Sequence, residues 1–200
     1  MAINKISGVS TVGGGSYDEL IMDGVITCNG DIHAQSAKID GVVTVNGMVE
    51  AKENIVLGGV LTVTGRVKGA DIRVDGVCTI KDNVEADHVF CKGVVTAQEQ
   101  ISADLVEGKG LLSAKESVGE RVNVHCDTKK RHAFFKRSHE LCKIEMIEAT
   151  EIDIDGIEAK TVNGHNVIIG PDCIVENVDC SGTLSIAEGA DVKNVNGQPR

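Results

Sequence analysis

The side chains able to do chemistry in this chain are chiefly six His and seven Cys. Five of them fall in one stretch, "HCDTKKRHAFFKRSHELC", as His125, Cys126, His132, His139 and Cys142. Imidazole and thiolate are the usual zinc ligands, but they bind at C-x-x-C or short His–His spacings, and none occurs here. The expectation is a solvated segment with incidental His and no metal. His165, in the turn "NGHNV", is the best-placed candidate for a general base; its other reading is an ordinary turn residue. "TVGGGSYDE" lacks the Lys of a phosphate loop, and no G-x-S-x-G elbow or G-G-x-G-x-D calcium repeat appears. No catalytic residue, cofactor or metal ligand is assigned, and the chain is expected not to be an enzyme.

The cysteines, at 28, 78, 91, 126, 142, 173 and 180, are odd in number and form no C-x-x-C. They read as reduced thiols, several serving as small core hydrophobes. A chain of 200 residues with no Trp, one Tyr and three Phe builds its core from Val, Ile and Ala. A thin core between closely spaced strands needs no aromatic volume. The net charge of −10 argues against nucleic acid as a partner. The opening "MAINKISGVS" has no apolar run of signal-peptide length, and no stretch reaches the roughly 18 apolar residues of a spanning helix. The expected location is the cytoplasm.

The scaffold behind these residues is an internal repeat. Gly24, Gly41, Gly59, Gly76, Gly93 and Gly110 recur at near-constant intervals, one of them a single position longer than the rest. An apolar column follows as Ile26, Val43, Leu61, Cys78, Val95 and Leu112. A Thr column follows as Thr27, Thr44, Thr62, Thr79, Thr96 and Ser113. A second apolar column runs from Cys28 through Val45, Val63 and Ile80 to Ala114, and a third reads Ile32, Val49, Val67, Val84, Ile101 and Val118. A small-residue column, Ala34 to Ala103, fails at Glu120. Apolar residues alternate within each copy, which is the strand period. Each copy is therefore about three short strands joined by turns. That length is one circuit of a three-sided coil whose strands pair in parallel with the next coil, about 4.8 Å away. The predicted fold is an all-β, single-chain parallel β-helix of about 17–18 residues per coil and nine or so coils.

By segments, residues 1–22 read as a tail and an incomplete capping coil, and 23–124 as six coils. Residues 125–142 form a basic and aromatic insertion, 143–196 are C-terminal coils, and 197–200 are a tail. The insertion carries Lys129, Lys130, Arg131, Lys136 and Arg137 around Phe134 and Phe135. It suits contact with anionic lipid or an acidic partner, or packing of its two Phe back onto the rod. In the C-terminal coils Val162, Ile168, Ile174, Cys180, Ile186 and Val192 recur every six residues, which predicts three sixes to a coil. That hexad, with "IIGPDCIV", is similar to left-handed β-helix acyltransferases, which implies a trimeric enzyme as the alternative to a structural protein.

The opening "ISGVSTVGGGSYDELIMDG", the "DG-V-T-VNG-V-A" coils, "IEATEID" and "VIIGPDCIVENV" resemble the bactofilin, or polymer-forming cytoskeletal, family, most closely its longer Firmicute-type members. The resemblance implies a right-handed β-helix and nucleotide-independent filaments made by end-to-end stacking. It implies roles in cell shape, wall synthesis, polar positioning or motility. Implied partners are further copies of the chain, a second family member, the inner face of the membrane, and cell-envelope or motility proteins. Short members use a Phe at the subunit contact in the last coil. This chain departs from that pattern, with no aromatic in its last coil; Ile186 and Val192 are its candidate polymer contact.

Overall fold

The computed structural model describes residues 3–126 and 142–197. Among them the chain is all β, with no helix. Fifteen parallel strands wind into a solenoid of about nine turns. Among the described residues no helix is long and apolar enough to cross a membrane.

Each coil contributes a short run to each of three faces. The first face stacks Val25–Asn29 of β1 (Ile3–Ile39) under β2 (Val42–Asn46), β5 (Val60–Val63), β7 (Val77–Ile80), β9 (Val94–Ala97) and the start of β11 (Leu111–His125). The second begins with Ile32–Ala34 under β3 (Val49–Ala51), and the third with Ala37–Ile39 under β4 (Asn54–Leu57). Both continue through β6 (Val67–Val74), β8 (Val84–Cys91) and β10 (Gln100–Gly108). β-branched residues suit this pleated, half-buried surface. The inward member of each pair is sealed, as with Ile26, Val43, Leu61, Cys78, Val95 and Leu112. The third apolar column is equally sealed from Ile32 through Val49, Val67 and Val84 to Ile101.

The glycine column marks a corner where successive backbones nearly touch. A methyl at Gly76 would collide with the Gly59 carbonyl oxygen one coil below and lie 2.8 Å from that of Gly58. We expect Gly76→Ala to lower stability by about 1–3 kcal/mol through forced backbone movement. A urea titration by circular dichroism checks it.

Two sequence-level columns are corrected. Val118 does not complete the third core column; it is half-buried and pairs with Ser102, while Ser117 pairs with Ile101 and is fully buried. Leu112 follows its partner Val95 at the usual interval, but Ser117 follows Ile101 one position sooner, so this coil is one residue short. A one-residue slip moves every later side chain to the other face. The same slip puts Gly119, not Glu120, over Ala103. The Ser117 hydroxyl finds no partner among the described residues. We expect Ser117→Val to raise stability by about 1–2 kcal/mol, because it fills the column and removes an unpaired buried hydroxyl. A lower urea midpoint would contradict that burial.

The second correction concerns the hexad. In β12 (Cys142–Asp155) and β13 (Ile157–Ile169) one inward series reads Ile147, Ile152, Ile157, Val162 and Val167, each five positions after the last, and Ile144, Ala149, Ile154 and Ala159 form a second at the same spacing. Cys142 pairs with Ile157 and Ile154 with Ile169, so these coils have five positions per side where the hexad demands six. The coils lengthen again by β14 (Ile174–Ile186) and β15 (Asp191–Gly197), where Ile174 pairs with Asp191. Ile168 and Ile174 point outward and are 49% and 40% exposed. Their ladder neighbours explain this: Ile168 lies between Asp153 and Ser185, and Ile174 between Glu158 and Asp191.

Candidate assembly surfaces

The strand order ends on β15, whose far edge has no further strand among the described residues. Four core columns also end here. Val167 carries Leu184, Ile169 carries Ile186, Val175 carries Val192, and Val178 carries Val195. The four lower residues are completely buried. Above them Ile186 is 41% and Val195 46% exposed, and Leu184 and Val192 are half-buried. These four keep the core's chemistry, and no further coil among the described residues covers them. Both sequence-level candidates, Ile186 and Val192, stand at column tops; Leu184 and Val195 were missed. Only the ladder shows that each lies one coil above a buried Val. The outward edge of β15 continues the ladders below it: Asn194 Nδ2 donates to Asn177 Oδ1 at 3.1 Å, and Lys193 pairs with Glu176 at 3.4 Å.

At the opposite end Ile6, Val12 and Tyr17 are half-buried against the core, while Ile3 and Val9 are exposed. The opening glycines lie beneath the second coil. A methyl at Gly14 would collide with Asp31 backbone, and the Cys28 thiol donates to the Gly13 carbonyl at 3.4 Å.

The insertion opens and closes on rod residues. His125 ends β11, with Nδ1 3.3 Å from Asp155 Oδ2 and Nε2 3.7 Å from Asp153 Oδ1. The Cys126 amide donates to the Asp155 carbonyl at 3.0 Å, and Cys142 is fully buried. Lys129, Lys130, Arg131, Phe134, Phe135, Lys136 and Arg137, with His132 and His139, lie outside the described residues. Among the described residues no group of three or more His, Cys, Asp or Glu is arranged to hold a metal ion. His165 is exposed, with Nδ1 3.0 Å from Ser181 Oγ, and its ring packs against Gly182.

None of the seven cysteines is in a disulfide, and all are buried. Desolvation pushes the thiols of Cys78 and Cys91 up to about 12. The hydrogen bond that the protonated Cys142 thiol makes to Cys126, then burial, raises Cys142. Burial also raises Cys28 and Cys173. Such thiols stay protonated near neutrality, and the thiolate, not the thiol, is the nucleophile and ligand.

A last surface went unremarked in the sequence although it recurs in every coil. Val25, Val42, Val60, Val77, Val94 and Leu111 form an outward column, in register, beside the Thr27-to-Ser113 column. Four of the six are 39–54% exposed.

No family model matches the chain, and no solved structure matches it. It is similar to the uncharacterized protein YhbE of Bacillus subtilis (strain 168), 45% identical over 49 residues. That match covers 24% of this chain, and the chain spans about a fifth (21%) of that protein's length.

Proposed function

We propose that this chain is a structural, self-assembling scaffold that polymerises end to end without nucleotide, in the manner of the bactofilins. Its partner in that role is another copy of itself. The reading places it in the cytoplasm or peripherally at the inner face of the membrane, supporting cell shape, wall synthesis, polar positioning or motility. It assigns no catalytic step.

One observation carries the proposal: the core columns run to the last coil and stop uncovered at Leu184, Ile186, Val192 and Val195. A solenoid that works alone caps its ends with polar faces. Here the final strand offers both unpaired backbone groups and apolar side chains, the template onto which a further coil adds. A parallel strand placed about 4.8 Å above β15 extends the ladder and the columns together.

The test is Ile186→Lys. Negative-stain microscopy and high-speed pelleting of the wild type, without nucleotide or metal, are expected to show filaments. The variant is expected to stay in the supernatant with an unchanged melt, because position 186 is open to water and its lysine costs the fold little. Filaments formed equally by the variant would place the contact elsewhere; compact wild-type particles would remove the polymer reading.

A further inference from the structure

We propose that the Val–Thr face is a side-to-side contact between two copies of this chain, running antiparallel. It rests on the end-to-end reading only for its strength, as shown below.

The face is six coils tall, in register and uncharged in its two central columns, on a chain of net charge −10 that is 25% charged. Two such rods repel one another over most of their surface. An uncharged strip is where they can approach, and its β-branched side chains lose little entropy on packing. The corner beside it selects the partner and its direction. Two positions before the Val column stand Asp23, Asp40, Gly58, Asp75, Lys92 and Lys109. The acids lie toward the N-terminal coils and the lysines toward the C-terminal ones. A two-fold axis across the face, at right angles to the rod and midway between the Gly58 and Asp75 coils, keeps this corner on the same side. It sets Asp23 opposite Lys109 and Asp40 opposite Lys92 of the second copy. The opposite corner then sets Asn29 against Lys115, Asn46 against Gln98 and Thr64 against Lys81, with no like-charge pair. The present partners of the edge charges are exposed and exchangeable: Lys5 on Asp23 at 3.9 Å, Lys38 on Asp40 at 3.0 Å, and Asp75 on Lys92 at 3.8 Å. A parallel pairing would instead set Lys109 near Lys115.

Size determines how strong the contact is. Six coils about 4.8 Å apart and a width of about six residues give on the order of 500 Å² per rod. Two faces then bury about 1,000 Å², below the roughly 1,200–2,000 Å² of a stable specific interface. Single rods therefore pair weakly. Rods stacked end to end repeat the contact along their length and pair tightly, so bundling follows polymerisation.

The test uses the native chain and the Ile186→Lys chain in parallel. Val60→Cys places a thiol at the centre of the face, and Lys68→Cys places one on a neighbouring face; the native thiols are buried. A short bis-maleimide is expected to give covalent dimers from Val60→Cys and none from Lys68→Cys, in both backgrounds. Equal yields at the two positions, or no dimer at either, overturn the proposal and leave the face to another partner. Asp23→Lys with Asp40→Lys is expected to abolish the dimer, and adding Lys92→Asp with Lys109→Asp to restore it; dimers indifferent to the swap overturn the antiparallel arrangement. Loss of filaments with the dimer retained would sink the end-to-end reading alone. Filaments that persist without the dimer would sink the lateral one alone.

Discussion

Val63→Asp is expected to give a chain with no cooperative melt and no native circular dichroism. Val63 is fully buried, with Val45 directly below it and Ile80 directly above. A carboxylate there has apolar neighbours along the column, and no cation is buried among the described residues. Burying it uncompensated costs several kcal/mol even if it takes up a proton, against a total stability of about 5–15 kcal/mol for an ordinary domain. The damage is not local. In a solenoid each coil is held only by its neighbours, so a broken coil separates the two halves of the rod. The control is Thr62→Asp, the adjacent position on the outward side, where the side chain is half-buried beside Thr44 and Thr79. It is expected to shift the urea midpoint slightly and to keep the transition. A Val63→Asp chain that melted like the wild type would mean that the strand runs with the opposite parity.

The second large effect is alkaline instability. Cys78 and Cys91 are raised from 9.0 to about 12 by burial. Below pH 9 both folded and unfolded thiols are protonated, and the groups add no pH dependence. Above pH 9 the unfolded thiols release protons that the folded ones retain, so stability falls as pH rises and the loss is complete near pH 12. Across that window the loss approaches about 4 kcal/mol per thiol. Urea midpoints for the wild type are expected to hold from pH 7 to 9 and then decline steeply. Cys78→Ala/Cys91→Ala removes both groups; it starts lower because of the cavities but is expected to decline less from pH 9 to 11. Parallel curves for the two proteins would show that other groups control the alkaline transition.

Both predictions depend on knowing which residues point inward, and the sequence discloses this unevenly. Where the coil length is nearly constant and each coil opens on the same glycine corner, the columns are legible by eye, and Ile26 to Leu112 are all buried. They fail at Val118 because a coil one residue short changes nothing in composition. Only the pairing of Ser117 with Ile101 and Ile147 reveals it. The C-terminal coils mislead in another way. Ile168 lies beside Ile169, and Ile174 beside Cys173 and Val175, so a six-residue count can be threaded through apolar residues of both faces. The true five-residue count emerges once Ile147, Ile152 and Ile157 occupy successive sides of one coil.

The same division holds for the candidate surfaces. Ile186 and Val192 could be named in advance because they fall in the last repeat legible in the letters. Leu184 and Val195 could not, since their columns pass through coils of unequal length whose register only the ladder defines. The outward Val column was visible as letters but carried no meaning until six coils aligned it on one face, beside an edge that runs from acidic to basic along the rod.

By itself the sequence determined that this protein is a stack of parallel coils with a thin aliphatic core, because periodic glycines and alternating Val, Ile and Thr leave no other way to bury one face of each short strand. Only the tertiary structure decided where coil length changes, which hydroxyl is buried unpaired, which apolar residues form the open end, and which lie on the outside of the rod. Each of those depends on what stands one coil above and below, and that neighbour is distant in the chain, as Ile147 is from Ser117 across the insertion.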